Sequence, residues 1–109
     1  MATSHSIRAT PARSFVQRTL GLIGRTQVGE DEGMLFDRCS SIHTFFMRVP
    51  IDVVFLDAGD RVVRAVANVR PWRPFVGCVG ASRVVELAAG SIERRGIRAG
   101  DLVTPTVAS

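Results

Sequence analysis

At 109 residues the chain suits one domain (1–109) with a single core, its ends at about 1–9 and 105–109 expected to fray, and it is too short for two. No stretch approaches the run of about 20 apolar residues needed to span a membrane, and MATSHSIRATPARSF lacks the apolar centre of a secretory signal, so a cytoplasmic home with reduced thiols is expected. The net charge of +4 would ordinarily suggest nucleic acid, but all 14 basic residues are arginine, scattered and not interleaved with stacking aromatics; this fits GC-rich bacterial coding, and nucleic acid is set aside.

In chain order, Ser6 to Thr10 suggests a short strand, and Thr10-Pro11 reads as a cap followed by proline at the first helical position. An N-terminal helix should follow, with Phe15, Val16, Leu20, Leu22 and Ile23 near one face and Gly24 as its stop. Thr26 to Glu32 is a polar, acidic loop without calcium-loop spacing. Gly33 to Phe36 is a short buried strand.

The most apolar stretch is IHTFFMRVPIDVVFLD, Ile42 to Asp57. Extended chain over Ile42 to Arg48 would place His43, Phe45 and Met47 on one face and Ile42, Thr44, Phe46 and Arg48 on the other, with Pro50 interrupting the ladder. Ile51 to Leu56 reads as a strand buried on both faces, where Asp52 shares its side with Val54 and Leu56 and needs a partner. Ala58-Gly59-Asp60 turns into a third strand, Arg61 to Arg70, with Val63, Ala65, Ala67 and Val69 inward, giving an antiparallel hairpin. Pro71-Trp72-Arg73-Pro74 must be a loop with an amphipathic tip. Phe75 to Val79 and Arg83 to Leu87 read as edge strands, the second carrying Glu86. Ser91 to Arg95 reads as a short helix capped by Ser91 and stopped by Gly96, and Leu102 to Thr104 as a last strand. The pattern describes a compact, mainly β, antiparallel sandwich or barrel with two helices.

The series Arg18-Thr-Leu-Gly21-Leu22, Gly33-Met34-Leu35-Phe36, His43-Thr44-Phe-Phe-Met47-Arg48, Pro50-Ile51-Asp52-Val53-Val54-Phe55, Val85-Glu86-Leu87-Ala-Ala-Gly90 and Gly100-Asp101 resembles the bacterial and archaeal domain-of-unknown-function family 192 over almost the whole chain. The resemblance implies a small β domain of jelly-roll-like or sandwich type, with no established activity and a hint of envelope or pilus association. Where much of the family has Met after Gly-Leu and Trp before the central Met, this chain has Ile23 and Phe46. The His43-Thr44 form resembles a subgroup in which the polar role falls to His43.

Three residues are candidates for catalysis: His43 as a base, and Asp52 and Glu86 as paired carboxylates. The simpler reading gives His43 a structural place and ion-pairs each carboxylate with an arginine, Arg18, Arg25, Arg48 or Arg83, because buried carboxylates are rarely left unpaired. Cys39 and His43 lack the paired spacing of a metal site, Cys39 and Cys78 pair only in an oxidising compartment, and no nucleophile elbow, phosphate loop or dinucleotide fingerprint occurs, so no metal or cofactor is expected. Trp72 beside Arg70 and Arg73 suits contact with a partner. Two readings stay open, with the balance against catalysis. One is a non-catalytic binding or accessory module, monomeric or weakly dimeric, that holds a small ligand, glycan or protein through His43, Met47, Arg48, Trp72 and Arg73. The alternative is a small hydrolase or acid–base enzyme using His43 with Asp52 or Glu86.

Overall fold

The computed structural model describes residues 2–11, 33–44 and 47–107. The helix expected to end at Ile23, the loop before Glu32, and Arg18 and Arg25 lie outside that set.

The architecture is mainly β: a six-stranded sheet in the order β5-β4-β7-β2-β1-β8 and a two-stranded ribbon, β3-β6. The strands are β1 Ser4–Pro11, β2 Gly33–Asp37, β3 Ser41–Ile42, β4 Ile51–Leu56, β5 Val62–Val69, β6 Val76–Gly77, β7 Arg83–Ala88 and β8 Leu102–Val107; among the described residues a helix, α1, spans Ser91–Arg95. The expected antiparallel arrangement is corrected: the sheet is mixed, because β1 runs parallel to both β2 and β8. Ser4 to Ala9 lie against Leu102 to Val107. Thr10 and Pro11, expected to open a helix, end β1 opposite Met34 and Leu35. There β2 passes so close to β1 that a Cβ on Gly33 would lie 2.8 Å from the Arg8 carbonyl oxygen, a backbone atom that cannot swing aside.

The sheet curls until its edges meet at one end. An isolated bridge joins Arg61 to Leu102, Val62 N–H donates to Asp101 O, and Val103 N–H donates to Asp60 O. The concave side buries Ile7, Leu35, Val54, Leu56, Val62, Val85, Leu87 and Val103, with Ile97 and Ile92 filling the middle. The other side buries Val53, Phe55, Val69 and Val84 beneath Met47 and Val76. Strand β4 is buried at all six positions, as its unbroken apolar run predicts. Strand β7, expected at an edge, lies between β4 and β2. Its Val84 and Val85 are both buried, so neither of its faces is free for solvent.

Simple alternation fails on β5. Leu56 pairs with Val62 and Phe55 with Arg64, then Val53 pairs with Val66 and Ile51 with Val69, so β5 carries an extra residue at each of two register shifts. Val62 is therefore buried and Val63, expected inward, is 38% exposed. Within the second bulge Asn68 adopts φ 54°, a left-handed value that asparagine tolerates better than most residues. Its N–H donates to Asp52 Oδ1 at 2.8 Å.

The other oxygen of Asp52 accepts the N–H of Ile92 at 2.8 Å, in the first turn of α1. Because α1 has no side-chain cap of its own and begins at Gly90, Asp52 supplies that cap from across the core. Ser91, expected as the cap, is buried, and its Oγ accepts from Arg94 Nη2. Gly96 ends the helix with φ 66°, as expected.

A second carboxylate fastens the closed end. Asp101 accepts the N–H groups of Thr3 and Arg98, each at 3.0 Å, and lies 2.9 Å from His5 Nε2. The Thr3 N–H, then the His5 contact, hold its pKa at about 2, below the ordinary 3.8. A carboxylate with a depressed pKa stabilises the fold above its unfolded value, and that contribution is lost as pH falls from about 4 through about 2. Asp101→Asn should flatten the acid limb of the stability curve over that window, read as Tm against pH. For Asp52→Ala, which removes a buried acceptor from two part-buried N–H donors, we expect a loss of about 2–4 kcal/mol and a Tm drop of roughly 10 °C. An unchanged Tm would remove Asp52 from the structural role described.

Candidate functional site

The strand expected over Ile42 to Arg48 stops at Ile42. The cause is Thr44, 1% exposed. Its N–H donates to Arg73 O and its carbonyl accepts from Trp72 N–H and Met47 N–H, at 2.9, 2.7 and 3.3 Å. Its hydroxyl donates to Arg70 O at 2.7 Å and accepts Arg73 N–H at 2.8 Å. A threonine that spends its backbone and side chain on a neighbouring loop cannot continue a ladder. The result joins residues 43–44 and 47–48 to the loop 70–73.

Four of the five residues expected at a binding site emerge there. His43, Arg48, Trp72 and Arg73 are exposed, whereas Met47 turns into the outer core. Trp72 is 58% exposed and holds φ 65°, a left-handed value unusual for an aromatic residue. Beyond Pro74 the alternation resumes: Val76 and Cys78 face the outer core, while Phe75, Gly77 and Val79 face out. The Phe75 ring lies along Gly77, where an added Cβ would come within 2.5 Å of its Cζ atom. Phe75 is 66% and Val79 fully exposed. Arg64 shares the outer face with its pairing partner Phe55, and its Nη1 donates to Gly77 O at 2.8 Å, which brings a guanidinium to this row.

The three catalytic candidates do not assemble around Asp52. Asp52 pairs with Leu87 and Val53 with Glu86, so the two carboxylates point to opposite faces of the sheet. The expected ion pairs are also absent among the described residues: Asp52 is held by backbone N–H groups, and nothing hydrogen bonds to Glu86. Arg83 bridges Asp37 and Asp60. Glu86 lies on the outer face between Met34 and Val53. The residue keeps some surface, but its carboxyl is sunk among apolar groups, and burial raises its pKa from 4.5 to about 7. Both cysteines are free thiols; Cys39 Sγ donates to Ser41 O at 2.9 Å and Cys78 Sγ to Val79 O at 3.5 Å. Sequence reasoning missed Thr44 because a single hydroxyl inside an apolar run looks incidental. It missed Asp101 and His5 because 96 residues separate them.

Thr44→Val keeps the shape and removes the hydroxyl, leaving Arg70 O and Arg73 N–H without their buried partner. We expect a loss of about 1–3 kcal/mol and a shifted emission from Trp72, the sole tryptophan, with Thr44→Ser close to wild type. For Glu86 the sign is opposite to that of Asp101. A raised carboxyl pKa favours the folded state while protonated, so stability falls as pH rises from about 4.5 through about 7. Glu86→Gln should therefore gain Tm over wild type at pH 8 and not at pH 4, by at most about 3 kcal/mol. A gain independent of pH would exclude burial of the charge as its cause.

Comparison with known proteins agrees with this architecture. The UPF0127 protein of Thermococcus sibiricus is 42% identical over 62 residues, 57% of this chain and 40% of that protein. That of Pyrococcus horikoshii is 39% identical over 81 residues, 69% of this chain and 67% of the relative. The matched stretch spans about half the length of the Pyrococcus abyssi and Pyrococcus furiosus relatives, at 54% and 53%. A crystal structure of a protein of unknown function from Novosphingobium aromaticivorans superposes with a TM-score of 0.74 at 29% identity, over 88% of this chain and 73% of that one. That of a candidate transcription regulator from Sinorhizobium meliloti gives 0.71 at 27% identity, over 88% and 78%. Archaeal relatives beside bacterial structures give no support to a specifically bacterial source. Among the described residues no helix is long and apolar enough to cross a membrane. The pattern of the family DUF192, Uncharacterized ACR, matches residues 1–105, and the chain belongs to that family.

Proposed function

We propose that the protein is a non-catalytic binding module whose contact surface is the pair of loops joined by Thr44 together with the outward row of the β3-β6 ribbon. One observation carries the reading: Trp72, Phe75 and Val79, three large apolar side chains near one another in sequence, are 58%, 66% and 100% exposed on a backbone that hydrogen bonds hold in place. Rigid aromatic groups standing out of a surface are what hot spots of protein interfaces use, since little entropy is lost when they are covered. A protein partner suits this protruding row better than a small ligand, which needs enclosure. The Sinorhizobium neighbour, described as a candidate regulator, is compatible with a role exerted through contacts.

The acid–base alternative retains one favourable observation, the Glu86 carboxyl with a pKa near 7 and no hydrogen-bond partner among the described residues. It loses Asp52, which is committed to backbone N–H groups on the other face.

A photo-crosslinking residue placed at position 79 in the native host should give one discrete protein adduct, and the same residue at exposed position 104 on β8 should not. Trp72→Ala should reduce the adduct by about tenfold while moving Tm by no more than about 2 °C. Equal crosslinking from both positions, or none from position 79, would rule out this surface.

A further inference from the structure

The stretches of chain that carry the exposed apolar groups are basic in sequence. From Arg61 to Val85 the chain carries five arginines and no Asp or Glu, and from Arg38 to Ile51 two arginines and neither acid. Arg61 and Arg83 are spent at the closed end, on Gly100 O and on Asp37 and Asp60. Arg64 reaches Gly77 beside Phe75, and exposed Arg70 and Arg73 flank Trp72 on the loop that Thr44 holds against exposed Arg48. Exposed apolar groups on the ribbon and on the turns that flank it therefore have guanidinium groups in neighbouring positions.

Resting on the binding reading above, we infer that the occupant is an acidic protein segment, in which apolar side chains cover Trp72, Phe75 and Val79 while Asp and Glu side chains meet Arg64, Arg70 and Arg73. Guanidinium groups pair with carboxylates through two parallel hydrogen bonds, and complementary charge sets both the choice of partner and the rate of encounter. The pattern fits nucleic acid less well. Val79 offers no ring for a base, and one face of the Phe75 ring is taken by the Gly77 backbone.

The test is a fluorescence titration of the full chain, with Trp72 as sole reporter, against three probes: a ten-residue synthetic peptide alternating Asp or Glu with Leu, its twin carrying Asn and Gln, and a ten-nucleotide oligothymidine. The acidic peptide should bind about tenfold or more tighter than its neutral twin and weaken when NaCl is raised from about 50 to about 300 mM. Arg73→Glu and, separately, Val79→Asp should each lower its affinity by about tenfold with Tm unchanged; both side chains are exposed, so folding does not depend on them. Equal binding of the neutral twin would overturn the acidic occupant and leave the binding reading standing. Tighter binding of the oligothymidine, lost in Arg73→Glu, would overturn it in favour of nucleic acid. Silence from all three probes, together with the absence of a position-79 adduct, would overturn both.

Discussion

The Asp52 carboxylate joins the three parts of the curled sheet that sequence proximity does not join. It projects from the central strand β4 into the concave core, where one oxygen holds the bulge of β5 at Asn68 and the other holds the start of α1 at Ile92. Both donors are backbone N–H groups that lie outside the regular strand and helix ladders and would otherwise lose this acceptor. A charged acceptor bonds such donors more strongly than a neutral one, which offsets much of the cost of taking the carboxylate out of water. The helix that plugs the sheet and the irregularity that bends its edge are thus held by one side chain. Strand β5 must bend there for the sheet to curl, because its other end is fixed to β8 through Arg61 and Leu102.

That bend also sorts residues between the two cores. Each extra residue in β5 reverses which face the following side chains occupy, so Val62 and Ala65 serve the concave core and Val66 and Val69 the outer one. Arg64 falls between the shifts, on the outer face, and so can reach Gly77 on the ribbon. The placement of one guanidinium beside the exposed Phe75 is a consequence of the same device that closes the sheet.

Local features were legible in the sequence. The β4-β5 hairpin followed from an apolar run, an Ala-Gly-Asp turn and a second run. The strand at Gly33 followed from its flanking turn signals, and the end of α1 at Gly96 from the glycine. What failed depended on distance or on parity. The parallel pairing of β1 with β8 joins residues 98 positions apart, for which no local pattern exists. The bulges broke an alternation that looked clean. Strand β7 carried the signal of a central strand, with Val84 and Val85 adjacent, yet read as an edge from the sequence. Asp52 was seen to need a partner, and arginine was the natural expectation, because neither a bulge N–H nor a distant helix start is visible in sequence. The candidate site was legible residue by residue; its assembly was not, since Thr44 reaches Arg70 and Arg73 across 26 and 29 positions.

Trp72 occupies a costly backbone position. The turn it occupies is held by Thr44, through the Trp72 backbone N–H, and those bonds would form with any residue there. Its φ of 65° is most readily met by glycine or asparagine, and a bulky residue in such a position costs of order 1–3 kcal/mol. The side chain offsets that cost only partly, because more than half of its surface is exposed. The nearby Phe75 and Val79 repeat the pattern, large apolar groups where stability alone would favour polar ones. Under the binding proposal, a contact that covers these exposed groups is the physical circumstance in which such residues become favourable.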